Sequence, residues 1–167
     1  MANNLNVTGN GNHDIAGGDI NNYNIDSAKI FFNEEDLKCV IDRLDSIEFE
    51  EEFDDNDLER IDIEEKNKIN NLSQSYFEYM NNEFLPFFWR VEKFLKNPLY
   101  AQHKKKYNSV AKRINFYYHS QKAFFPQFEL LFPKIMELIE KKYPNNSDTF
   151  IIVIHYMYWH CDIGDKK

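Results

Sequence analysis

The placement of glycine divides this chain more sharply than any other feature. Four of the five glycines, Gly9, Gly11, Gly17 and Gly18, lie in the first 18 residues, and from about Asn33 onward there is none until Gly164. Eight asparagines fall within the first 24 residues. Such a shift marks a boundary near Ile25–Asn33. It separates an arm of residues 1–30 from a body of residues 31–167.

The arm reads NLNVTGNGNHDIAGGDINNYNI, with single aliphatics spaced among Asn, Gly and Asp. Asn-Gly, Gly-Gly and Asn-Asn are turn signals that permit positive φ. Leu5–Val7, His13–Ile15 and Asp19–Ile25 are short strand candidates between these turns. One such chain buries too few apolar groups to fold alone. Several copies can stack, with Asn side chains in ladders and aliphatics facing inward. The expected oligomerisation residues are Val7, Ile15, Ile20 and Ile25 as the apolar ladder, with Asn22 among the asparagine rungs. The plainer alternative is a polar, disordered tail.

Charge narrows the partners. The chain has 28 acidic against 20 basic residues, a net charge of −8, which argues against nucleic acid, since neutralising phosphates needs excess Lys and Arg. Aromatic residues make up 16% of the chain, enough apolar payload to exclude global disorder. Two cysteines, Cys39 and Cys161, cannot staple a fold of this size and read as free thiols in a reducing compartment. The start has neither a basic nor an apolar region of a signal peptide, and no run is long enough to span a bilayer. The expectation is a cytoplasmic protein with no membrane partner.

The body carries helical periodicity throughout. Asn33 reads as an N-cap before Glu34, Glu35 and Asp36, and Leu37, Val40, Ile41 and Leu44 follow at helical spacing, which predicts a helix over 34–46. The acidic run at 48–55 reads as a solvated loop; without glycine it makes a poor calcium loop, and an acidic patch for a basic partner is the better functional alternative. Two stripes, Ile69–Met80 and Phe84–Leu95, predict helices over 64–81 and 83–96, with Pro86 in a first turn and Asn97-Pro98 as the stop. A helix over 99–119 buries Tyr107, Val110, Ala111, Ile114 and Tyr118. Its Lys104–Lys106 and Lys112-Arg113 cluster suits nucleic acid or an acidic partner or, more simply, a solvated face pairing with the acidic run. A helix over 124–143 accepts Pro126 in its first turn, and Pro133 is expected to kink it. Ser147–Gly164 is β-branched in part, but its length, its caps and its terminal glycine favour a buried helix. The fold class is mainly α, a compact body of five to six helices preceded by a β-prone arm.

The search for chemistry yields little. His155, His160, Cys161 and Asp162 form the one ligand-like cluster. His155 and His160 stand five apart, whereas zinc-binding pairs on a helix favour four, and no second pair completes a site. A Cys161–His160 nucleophilic pair needs a geometry that helix neighbours do not offer. The glycines form no phosphate loop. No catalytic residue, cofactor or metal is expected.

Glu65-Lys66-Asn67-Lys68-Ile69-Asn70-Asn71-Leu72-Ser73, Tyr76-Phe77, Leu85-Pro86 and Phe94-Leu95-Lys96-Asn97-Pro98 form a family pattern. Its most specific part is the closing His155-Tyr156-Met157-Tyr158 with Cys161-Asp162-Ile163-Gly164. Over roughly 60–165 the chain resembles the C-terminal domain of bacterial ABC-three-component systems. The resemblance implies a helical interaction module that usually follows an effector domain and links it to an ABC-type ATPase and a small middle component, in systems associated with defence against phage. This chain is too short for an effector enzyme, and its arm, similar to the self-assembling motifs of some bacterial immunity proteins, stands in that place. The expected function is a non-enzymatic adaptor that forms homo-oligomers through the arm. It would meet other components of the system, an ABC-type ATPase among them, through His155, Tyr158, Cys161 and Asp162. The alternative is a small effector or toxin enzyme using the C-terminal His/Cys/Asp cluster.

Overall fold

The computed structural model describes residues 34–46, 61–143 and 147–167. The arm with Val7, Ile15, Ile20, Asn22 and Ile25, the acidic run 48–55 and the Pro144–Asn146 stop lie outside them. Seven α-helices follow one another: α1 Glu34–Asp45, α2 Ile63–Ile69, α3 Gln74–Glu83, α4 Leu85–Lys96, α5 Ala101–Ser120, α6 Leu131–Lys142 and α7 Ser147–Trp159. Three 3-10 turns intervene at Pro98–Tyr100, Lys122–Phe124 and Phe128–Leu130. There is no strand among the described residues, so the mainly-α expectation holds, with seven helices in place of five to six.

The extra helix comes from the stretch expected to be one helix over 64–81. α2 stops at Ile69 because Asn71 takes a left-handed conformation, φ 50°. The Asn71 N–H then bonds to the Lys68 carbonyl at 3.2 Å and the Leu72 N–H to the Asn67 carbonyl at 2.9 Å, closing the orphan carbonyls of α2. Ser73 restarts the chain as the N-cap of α3, its hydroxyl accepting the Tyr76 N–H. The apolar stripe runs across this break, which is why periodicity alone joins the two helices.

α1 buries Leu37, Val40, Ile41 and Leu44, the four residues its spacing singles out. It packs along α5, where Lys106 pairs with Asp42 and Arg113 with Asp45, both at 2.7 Å. Two cations of the basic cluster are thus taken by α1. α4 buries Phe88, Val91, Phe94 and Leu95, but Leu85, expected in that stripe, points outward at 37% exposure.

Two further expectations need correction. The helix expected over 124–143 begins only at Leu131, after two 3-10 turns, and Pro126 lies between those turns. Pro133 is therefore the third residue of α6. Its missing N–H is one of those that have no intrahelical partner in a first turn, so it ends up near a helix start and not at a kink. The last helix ends at Trp159 and not at Gly164. Cys161 supplies the left-handed residue, φ 62°, and the N–H groups of Cys161 and Asp162 close on the Tyr158 and Met157 carbonyls at 3.0 and 2.8 Å.

α7 is the centre of the body. Every residue from Phe150 to Tyr158 is buried, and α1, α4 and α6 pack around it. A helix apolar all round has no stable position except one surrounded by other elements.

Candidate functional site

Among the described residues, a dense polar network lies where α7 ends and the chain returns as residues 160–165. α2 approaches from one side with Lys66, Asn67 and Asn70, which its helical spacing places toward the same neighbour. α5 approaches from the other with Tyr107, Asn115 and Tyr118. Asn70 holds both backbone groups of Asp165: its Nδ2 donates to the carbonyl at 2.8 Å and its Oδ1 accepts the N–H at 2.7 Å. Asn115 donates to the Asp162 carbonyl at 2.9 Å and accepts the Gly164 N–H at 2.7 Å. Two asparagine side chains thereby take the place of strand neighbours for a segment that has none.

Gly164 is required on two counts. Its φ is +91°, and a Cβ there would stand 2.9 Å from Asn70 Oδ1 and 3.2 Å from a Phe128 ring carbon.

Lys66 is wholly buried. Its ammonium donates to the Tyr158 carbonyl in the last turn of α7 and lies 4.0 Å from the Tyr158 ring centroid. A cation suits the negative end of a helix and the face of an aromatic ring. Burial nevertheless dominates and lowers its pKa from 10.5 to about 7, with the nearby Cys161 and Asp162 resisting that fall. The Asp162 carboxylate accepts the Tyr107 hydroxyl, and the Asp165 carboxylate accepts the Tyr118 hydroxyl and pairs with Lys122.

The four residues expected to meet a partner are all turned inward. His155 is fully buried between the rings of Phe84 and Phe132, each 4.1 Å from it centroid to centroid. Its Nδ1 donates to the Ile151 carbonyl at 2.6 Å, so its Nε2 accepts the Tyr76 hydroxyl at 2.8 Å. Burial drops its pKa to about 3. Tyr158 is buried, with its hydroxyl on Asn67 at 3.0 Å, and burial raises its pKa. The Cys161 thiol is buried and donates to the Ile61 carbonyl at 3.4 Å. Asp162 is 8% exposed.

The cluster therefore does not converge on a common point. His155 faces α3 and α6, His160 stacks on Tyr156 at 4.1 Å, and Cys161 faces Ile61. Among the described residues no group of three or more His, Cys, Asp and Glu could hold a metal ion, and no helix is long and apolar enough to cross a membrane.

Lys66, Asn67, Asn70 and Asn115 are the residues that reading the sequence for chemistry passes over. Lys66 sits in the run Glu64-Glu65-Lys66-Asn67-Lys68, which looks like a solvated helix face. The available signal was the family pattern, which contains Lys66, Asn67 and Asn70.

No curated protein and no solved structure matches the chain. One family model does: C-terminal domain 12 of the ABC-three component (ABC-3C) systems, over residues 26–164. That span covers all seven helices and the clasped C-terminal turn, and on it the chain belongs to this family of ABC-three-component system domains.

Proposed function

We propose that the chain is a non-enzymatic adaptor of an ABC-three-component defence system. Residues 1–30 join copies of the chain, and the helical body of residues 31–167 binds other components, an ABC-type ATPase among them. Family membership supports the place in such a system. The observation that carries the adaptor reading is that the body commits His155, Cys161 and Asp162 to its own interior, so its outward surface is left to shape and charge. The rival reading, an effector enzyme built on those residues and His160, lacks a converging geometry. Free thiols at Cys39 and Cys161 fit the cytoplasm, the compartment we assign.

The test is the solution mass of the full chain beside one lacking its first 27 residues. An oligomer that becomes a monomer on truncation supports assembly through the arm. Two monomers, or two oligomers, would sink it. Ile20→Asp in the full chain is expected to reproduce the truncation, because each added copy would bury a charge, with the helical circular dichroism unchanged. Co-expression with the ATPase and the middle component tests the second half of the reading: the full chain is expected to co-purify with at least one of them.

A further inference from the structure

We propose that the outer face of α4, with the groove between α4 and α5, docks an acidic protein segment that carries an apolar anchor residue. The proposal rests on the adaptor reading and names the surface that reading requires.

α4 is amphipathic, and the outward side of such a helix is ordinarily polar. Here it presents Leu85 and Trp89, one turn apart, followed by Lys93 and Lys96. Trp89 is 57% exposed, and Leu99, just past the helix, is 84% exposed. The Arg90 guanidinium lies 5.5 Å from the Trp89 ring centroid. Tryptophan and arginine are the residues most enriched in binding hot spots. A groove of about 220 Å³ runs between the second half of α4, α5 and the end of α7. Leu95, Tyr107, Tyr156 and His160 line it; of its charged residues Glu92 is paired with Lys96 and Asp162 accepts the Tyr107 hydroxyl, which leaves Lys104.

Charge selects the occupant. Residues 84–113 contain eight Lys and Arg against one acid, Glu92, in a chain whose net charge is −8. Lys106 and Arg113 are held by Asp42 and Asp45 on α1, and Glu92 holds Lys96. Lys93, Lys104 and Lys105 have no ion-pair partner among the described residues. Three unpaired cations on α4 and α5, with an exposed tryptophan on α4, suit a short acidic segment with one Leu, Phe or Trp. A nucleic acid would need a wider basic field, and the rest of the chain repels phosphate.

A displayed library of random dodecapeptides is selected on the full chain, and the best peptide is synthesised. Enrichment of acidic sequences with a single large apolar residue is expected. Such a peptide should shift the tryptophan emission to the blue as Trp89 is covered. Trp89→Ala and Lys104→Glu, each at an exposed position, should each weaken it by about tenfold or more while leaving circular dichroism and thermal melting unchanged. No enrichment, enrichment of basic peptides, or binding indifferent to both variants overturns the proposal. So does retention of a short duplex DNA on the same residues, or self-association of the chain that Trp89→Ala abolishes. Co-purification with the ATPase that survives both variants overturns this surface and leaves the adaptor reading standing. Failure of the unaltered chain to co-purify with any component overturns the adaptor reading itself.

Discussion

At the residue scale, the instructive pair is His155 and Lys66, both buried and both ionisable. His155 sits in an aromatic box with each ring nitrogen bonded, and its pKa falls to about 3. The unfolded chain takes up a proton near the ordinary value of 6.5, well before the native one does. Stability contributed by the neutral ring is therefore full above pH 6.5 and is lost as pH falls toward 3. Urea unfolding at pH 7 and pH 5 should show that loss, and nitrogen NMR of the ring should show the Nδ1–H tautomer at both. Tyr76→Phe removes the donor to Nε2 and is expected to cost about 1–2 kcal/mol in the same unfolding experiment. Lys66 works in another window. Its pKa is lowered from 10.5 to about 7, so between those values the unfolded chain holds a proton that the native chain has released, and raising the pH favours the native state. Unfolding free energy should rise by about 2 kcal/mol from pH 7 to pH 9, and Lys66→Met should flatten that rise. A flat profile in the unaltered chain would mean the amine reaches solvent. Gly164→Ala meets both the positive φ and the Asn70 contact, and is expected to lower stability by about 1–3 kcal/mol, read as a fall in melting temperature.

At the element scale, boundaries divide into those written in local chemistry and those set by neighbours. Three acids at the start of α1, Pro86 in the first turn of α4 and Asn97-Pro98 after its end are local signals, and each marks the boundary where the helix begins or stops. The break between α2 and α3 was also local, in Asn70-Asn71 and Ser73, but the apolar stripe from Ile69 to Met80 runs through it and masks it. Ser73→Ala should cost about 1 kcal/mol, because α3 then starts without a side-chain cap. At Pro133 the error was one of position: a proline ten residues into a helix kinks it, and the same proline three residues in does not. Pro133→Ala is expected to change stability by less than about 1 kcal/mol, whereas an interior proline would be worth about 3. The end of α7 had no legible signal, since cysteine has no preference for the left-handed conformation that Cys161 adopts. What holds it there is the clasp of Asn115 and Asn70 on the residues that follow.

At the scale of the whole molecule, charge is segregated along the chain. Residues 34–65 carry sixteen acids against three bases, and residues 84–113 the reverse sign. Part of this difference joins α1 to α5, through Asp42 with Lys106 and Asp45 with Arg113. Salt should weaken that junction only slightly, since Arg113 and Asp45 are partly shielded, and the melting temperature is expected to fall by no more than a few degrees between low and moderate ionic strength. Any contact made by Lys93, Lys104 and Lys105 with a partner should be far more sensitive, since those cations are exposed. What the sequence determined by itself was the helical class, the inward faces of α1 and α5 residue by residue, and the burial of α7, because periodicity and overall apolarity are local properties that any tertiary arrangement must respect. The tertiary structure alone decided that a lysine in a charged run would be buried, that Leu85 and Trp89 would face solvent, and that His155, Cys161 and Asp162 would point in different directions. Those outcomes depend on which element lies opposite each side chain, and residues more than ninety positions apart, such as Lys66 and Tyr158, are brought together only by the packing of the whole.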